Sequence, residues 1–137
     1  MGRHSKKDMQ ELSIMKLELE NEDGYMIRRP CLLEIMNNNK HSKLDLSSTI
    51  HIISHNEFVV SSYCQADIDQ INSITVLLLD SRLSYISLSG RIKNDKSIRI
   101  LKNGEFLYHC YFEGKNERVE KYINRIEKTH SKRGIKN

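Results

Sequence analysis

The chain has 137 residues, the length of one domain, and 38% of them are hydrophobic, which is enough to close one core. Its net charge of +4 permits an anionic ligand or a nucleic acid but requires neither. The longest apolar run that stands out is VLLL at 76–79, far below the ~20 residues of a membrane helix. No apolar stretch of signal-peptide type follows the basic first residues. We therefore expect a soluble, cytoplasmic protein.

Residues 1–24 are predicted to form an N-terminal arm, for which a short helix is one option. Gly24 is a helix-ending residue and closes the arm. The apolar residues of the arm mix helical and alternating spacings, so periodicity does not decide its structure. They are Met9, Leu12, Ile14, Met15, Leu17 and Leu19.

The middle of the chain is predicted to be β structure, because its segments are rich in β-branched and aromatic residues and several alternate in polarity. Pro30 disfavours a helix interior and suits an edge strand or a strand start. Asn103 and Gly104 form a hairpin-turn signal, since such turns require positive φ angles. The strand segments are RRPCLLEIM (28–36), STIHIIS (48–54), EFVVSSY (57–63), SITVLLLD (73–80), YISLSGRIK (85–93), SIRIL (97–101) and EFLYHCYFEG (105–114).

The last segment is predicted to contain an amphipathic helix. Val119, Tyr122, Ile123 and Ile126 recur at the spacing of one helix face. Asn116 is a candidate for the helix N-cap. Consecutive strands at hairpin spacing, followed by one such helix, predict a mainly β fold. We expect a small six- to seven-stranded antiparallel β-barrel that the helix plugs or flanks. The barrel and helix are assigned to residues 25–130, and residues 131–137 form a basic tail.

The histidines and cysteines do not predict a metal site or an enzyme. His51 and His55 have the spacing of the HExxH zinc motif, but the residues around them favour strands. Zinc needs three or four ligands, and we expect no metal ion here. The three cysteines are odd in number and lack a CxxC pair, so reduced thiols are expected. There is neither a GxSxG motif nor a glycine-rich phosphate loop, and we expect no catalysis.

Two groups of residues are candidates for binding anions. Arg28 and Arg29 stand side by side before the first strand, where arginines can grip phosphate; a solvated pair is the alternative. A nucleic acid could lie on basic residues of the helix and tail and stack on aromatic residues of the strands. The alternative is that those aromatic residues belong to the core. The basic residues are Lys121, Arg125, Lys128, Lys132, Arg133 and Lys136, and the aromatic ones are Tyr85, Tyr108, Tyr111 and Phe112.

The order of these elements resembles the PilZ family of bacterial regulatory domains. That family has an arginine-rich entry to the first strand, a motif Asp/Asn-x-Ser-x-x-Gly between strands, and a C-terminal helix. The counterparts are RRPCLLEI, IISHNEFVVSS, SITVLLLD, LSGRIKND and FLYHCYFEG leading into the helix. The resemblance covers roughly residues 28–127. It implies signalling by a nucleotide-binding barrel, in which arginines hold the phosphates and guanines of cyclic di-GMP.

The serine motif departs from the family pattern. With Ser54 as the motif serine, Ile52 takes the acidic or amide position and Glu57 takes the glycine position. A second register on DLSSTI fits Asp45 and Ser47, but it also lacks the glycine and leaves an overlong gap before the next strand. We prefer the first register. An apolar residue at the first position loses a hydrogen bond to the ligand, and a glutamate at the last adds bulk and negative charge beside a dianion.

The arginine motif of the family has two arginines four residues apart. Arg29 matches the second, Tyr25 stands at the first, and Arg28 is a partial substitute. The ligand-binding residues that the resemblance implies are therefore Arg28, Arg29, Ser54 and His55. The departures predict weak or absent binding of cyclic di-GMP. They favour a non-catalytic regulatory or adaptor module that binds a partner protein of a pilus, motility or other regulatory system. The alternative is a nucleic-acid-binding barrel.

Overall fold

A computed structural model describes residues 24–66, 72–79, 85–92 and 98–132. This part of the chain contains seven strands and one helix. They are β1 (Tyr25–Asn37), β2 (Ser42–Ile53), β3 (Glu57–Ser62), β4 (Asn72–Leu79), β5 (Tyr85–Ile92), β6 (Ile98–Ile100), β7 (Phe106–Phe112) and α1 (Glu117–Lys132). The predicted N-terminal arm up to residue 23, and residues 133–137 of the predicted tail, lie outside the described residues.

The strands form a closed antiparallel barrel. Their order is β3-β2-β1-β4-β5-β7-β6, and a further pairing between β3 and β7 closes the ring. Six strands make the barrel, and the three-residue strand β6 pairs with the first half of β7. The predicted mainly β fold, with a small barrel and a C-terminal helix, is thus confirmed.

Short turns connect several of the neighbouring strands. At the predicted turn, Gly104 has a φ of 90°, which glycine adopts without steric cost. Its amide donates to the carbonyl of Leu101, and the amide of Leu101 donates to the carbonyl of Glu105. The Asn-Gly signal therefore marks the β6–β7 hairpin, as predicted.

The core lies inside the barrel and is built by alternation. In β4, the buried residues Ile74, Val76 and Leu78 alternate with more exposed ones, as expected for a strand with one buried face. Phe58 and Phe112 meet at 5.0 Å between ring centroids. A second, smaller cluster consists of Ile52, Val59, Leu101 and Leu107, with Met26 packed against it.

The helix packs one apolar face against the core. Val119, Tyr122 and Ile123 are buried, and Ile126 is half-buried, as its sequence periodicity predicts. The side-chain oxygen of Asn116 accepts a hydrogen bond from the amide of Arg118 at 3.0 Å. This is the geometry of the predicted N-cap.

The three cysteines are free thiols, as predicted. Burial raises the pKa of Cys31 to about 12 and raises that of Cys110 further. Both side chains therefore serve as small apolar groups of the core. In the described part of the chain, no helix is long and apolar enough to cross a membrane.

Candidate functional site

The stretch SHNE is the turn between β2 and β3. The amide of Ser54 donates to the carbonyl of Glu57 at 2.8 Å. Its hydroxyl oxygen accepts hydrogen bonds from the amides of Glu57 at 3.0 Å and Asn56 at 3.3 Å. The residue is only 1% exposed. Ser54 therefore holds the turn together, and its hydroxyl faces the turn backbone.

His55 ties this turn to the helix. Its Nδ1 lies 2.6 Å from Glu120 Oε2, and its Nε2 lies 3.0 Å from Glu127 Oε1. Partial burial acts to lower the pKa of His55, but the hydrogen bonds and charges of the two carboxylates outweigh it and raise the pKa above 6.5. The protonated ring can donate to both carboxylates at once, so His55 acts as a clamp between the turn and α1.

A small cleft lies beside this clamp. It has a volume of about 200 Å³ and is lined by His55, Asn56, Phe112, Gly114, Lys115, Asn116, Val119 and Glu120. Ligand pockets for drug-sized molecules span roughly 300–1,000 Å³. The cleft is therefore small for a dinucleotide.

The two arginines lie at the start of β1 but away from the clamp. Arg28 is exposed and has a φ of 45°, at a register shift between Met26 and Arg29. The guanidinium of Arg29 donates to the carbonyl of Leu79 on β4 at 3.4 Å. Arg29 pairs with Ile50 on β2, which is five residues, or about 16 Å of strand, before His55. The structure thus brings Ser54 and His55 together, but it directs Arg29 elsewhere.

The other motif positions of the preferred register are buried. Ile52 is 0% exposed and belongs to the smaller apolar cluster. Glu57 is 6% exposed, and its carboxylate lies 3.1 Å from Nε2 of the buried His109. The glutamate therefore faces a histidine of β7.

Asp45, the acidic residue of the second motif register, also makes structural contacts. The carboxylate of Asp45 accepts hydrogen bonds from the Ser62 hydroxyl at 2.7 Å, the Tyr63 amide at 3.0 Å and the Ser47 amide at 2.9 Å. Burial acts to raise the pKa of Asp45, but these hydrogen bonds lower it below its usual value. Asp45 thus anchors the end of β3 to β2.

A buried polar chain contains a serine, a histidine and a glutamate, with the serine between the other two. The hydroxyl of Ser61 donates to Glu105 at 3.1 Å, and Nε2 of His51 lies 2.7 Å from the same hydroxyl. In a nucleophilic triad the histidine stands between the serine and the acid. Here the serine stands in the middle and is 0% exposed.

The aromatic residues do not form one stacking surface. Tyr108 is fully buried, and its hydroxyl donates to the carbonyl of Cys64 at 2.6 Å and accepts from the amide of Ala66 at 2.9 Å. Tyr85 and Tyr111 are exposed. Tyr111 pairs with a residue six positions after Tyr85 on β5, a separation of about 20 Å along the strand.

The described residues contain no group of three or more histidine, cysteine, aspartate or glutamate side chains placed to hold a metal ion.

An apolar stripe runs across the outside of the barrel. It runs over four neighbouring strands, from β2 through β1 and β4 to β5. Leu32 pairs directly with Leu77, and Leu79 pairs with Tyr85. The stripe consists of Leu44, Leu46, Leu32, Leu77, Leu79 and Tyr85, whose exposed fractions lie between 38% and 75%.

Sequence reasoning missed this stripe for a physical reason. Leucines in a strand segment normally indicate the core, and VLLL contains two inward and two outward positions. Val76 and Leu78 are buried, while Leu77 and Leu79 point outward. The available signal was the interruption of apolar–polar alternation, because an apolar residue on both faces of a strand implies that both faces are covered.

No protein-family model, curated protein or solved structure matches this chain. The resemblance to PilZ domains therefore stays a prediction.

Proposed function

We propose that this protein is a non-catalytic interaction module that binds another protein chain through the apolar stripe. The observation that carries the proposal is the exposure of six large apolar side chains on one continuous face. Contiguous apolar patches of this kind on a folded protein mark interaction sites, whereas single exposed leucines do not.

The surroundings of the stripe support a protein as its occupant. Beyond Leu77 and Tyr85, the same face carries the small polar residues Thr75, Ser87 and Ser89. An apolar centre with a polar rim is the usual arrangement of a protein–protein interface.

We expect cyclic di-GMP to bind this protein weakly or not at all. Ser54 is engaged in its turn, His55 is held by two glutamates, and Arg29 is directed to β4. This separation supports weak or absent binding. Titration calorimetry with cyclic di-GMP should give no saturable heat. Saturable micromolar binding that disappears in Arg29→Ala would instead make the protein a nucleotide receptor.

The alternative of a nucleic-acid-binding barrel gains less support. Such barrels combine a basic groove with aromatic side chains that stack successive bases. Here the exposed Tyr85 and Tyr111 are about 20 Å apart along the sheet, too far to stack neighbouring bases.

Photo-cross-linking tests the proposal directly. A photoreactive amino acid replaces Leu77 in the stripe or, as a matched control, Ile100, an apolar residue on β6 that is 67% exposed. We expect discrete protein adducts from position 77 in the cells that produce the protein, lost when Leu32→Glu is added. Adducts of equal yield from both positions, or none from position 77, would contradict the proposal.

A further inference from the structure

We propose that the chain bound at the apolar stripe is a second copy of this protein, so that the stripes of two copies pack face to face in a homodimer. This inference rests on the proposed function, since it names the occupant of the same surface.

The size of the stripe fits a dimer interface. If each fully exposed side chain is taken at roughly 150 Å², the lower end of the range for aromatic ones, the stripe presents about 500 Å² of surface. A standard interface covers about 800 Å² on each partner, and in homodimers about 65% of that area is apolar. The stripe alone therefore supplies the apolar part that a dimer of standard size needs, and its polar rim supplies the remainder.

The shape of the stripe is compatible with twofold symmetry. Most homo-oligomers are symmetric, so the contacting surface must match itself. The stripe runs diagonally from Leu44 and Leu46 on β2 to Leu79 and Tyr85 at the junction of β4 and β5. A twofold axis along this diagonal lays the stripe of one copy on the stripe of the other, and leucines then meet apolar side chains along its whole length.

The charges beside the stripe favour the same axis. On one side lies Glu34, which follows Leu32 on the same outer face of β1 and pairs with Leu44. On the other side lies Arg28, an exposed residue before Leu32 on β1. A rotation about an axis along the stripe exchanges the two sides. The acidic side of each copy then faces the basic side of its partner, and attraction of opposite charges supports this arrangement over unrelated apolar contacts.

Sedimentation analysis over a range of protein concentrations tests this inference. We expect the unmodified protein to form a dimer. In Leu32→Glu, each dimer would bury two carboxylates at the centre of an apolar contact. The dimer dissociation constant should therefore rise by at least about 100-fold. The matched control is Ile100→Glu, which places the same charge on an exposed apolar residue away from the stripe and should leave the dimer intact.

Leu46→Glu repeats the test at a position that is 75% exposed, where a charge does not reach the core. Circular dichroism checks that each variant is folded. A monomer at every concentration overturns the inference, as does a dimer that persists in both stripe variants. If the protein is a monomer but the photoreactive amino acid at position 77 still forms adducts with a different protein, only the homodimer is overturned. A monomer without stripe adducts overturns the proposed function as well.

Discussion

Gly90 lies where β5 meets β7, and we predict that Gly90→Ala loosens the closure of the barrel. A Cβ atom at this position would lie 2.4 Å from the carbonyl oxygen of Tyr111 and 2.7 Å from a ring carbon of Phe58. The described pairing between β5 and β7 consists of three residue pairs, and Gly90 belongs to one of them. An added methyl group therefore has to displace either the backbone of β7 at Tyr111 or the buried ring of Phe58.

The expected loss of stability can be estimated from these contacts. Overpacking by one methyl group costs about 1–3 kcal/mol, and both contacts here are too short to be absorbed by a flexible side chain. Replacing glycine by alanine stabilises by about 0.4–1 kcal/mol through the unfolded chain. We therefore take the upper end of the overpacking cost and expect the free energy of unfolding to fall by ~2 kcal/mol. With a urea m-value of about 1–3 kcal/mol/M, the midpoint falls by roughly 1 M.

Urea unfolding followed by far-ultraviolet circular dichroism measures this change, and the absence of tryptophan makes the backbone signal the better probe. Ser89→Ala is the control, since Ser89 is the exposed neighbour on the same strand and should stay within about 0.5 kcal/mol. Phe58→Leu combined with Gly90→Ala should cost less than the sum of the two changes. A Gly90→Ala protein as stable as the unmodified one would refute the reasoning.

Two further predictions concern hydrogen bonds that join separate segments. Tyr108→Phe removes the hydroxyl that bonds the backbone at Cys64 and Ala66, so the free energy of unfolding should fall by about 1–3 kcal/mol. Tyr111→Phe, at an exposed position, is the control. Equal free energies of unfolding for Tyr108→Phe and the unmodified protein would contradict the role given to this hydroxyl. The clamp at His55 should make stability depend on pH. Because the folded-state pKa is raised above 6.5, its stabilisation is complete below that value and is lost as the pH rises through the folded pKa. For a pair as exposed as this one, solvent screening limits the effect to about 0.5–1 kcal/mol. The stability difference between the unmodified protein and His55→Gln, measured by urea unfolding below about pH 6 and above about pH 8, should shrink at the higher pH. A constant difference would show that the clamp does not titrate.

The barrel and the helix could be predicted from sequence because local signals repeat along the chain. Asn103 and Gly104 mark a hairpin, and Val119 and Ile123 lie on the buried face of a helix. These features depend on residues that are close in the sequence, so one sequence is enough to predict them.

The candidate surface could not be predicted, because it depends on which strands become neighbours. Leu44 and Tyr85 are 41 positions apart in the sequence, and only the order of β2, β1, β4 and β5 brings them onto one face. The same reason applies to Glu57. Its position in the resembling motif suggested contact with a ligand, whereas the pairing of β3 with β7 places its carboxylate beside His109.

The proposed function requires that another protein chain covers the apolar stripe in the cell. Thiol labelling tests this with Leu77→Cys and Ile100→Cys, each in a Cys64→Ser background, because the other two cysteines are buried. Labelling in the producing cells is compared with labelling of the purified protein, diluted until sedimentation shows only the monomer. We predict that the thiol at position 77 is protected in cells, while the thiol at position 100 reacts at the same rate in both settings. Equal rates at position 77 in both settings would contradict the claim.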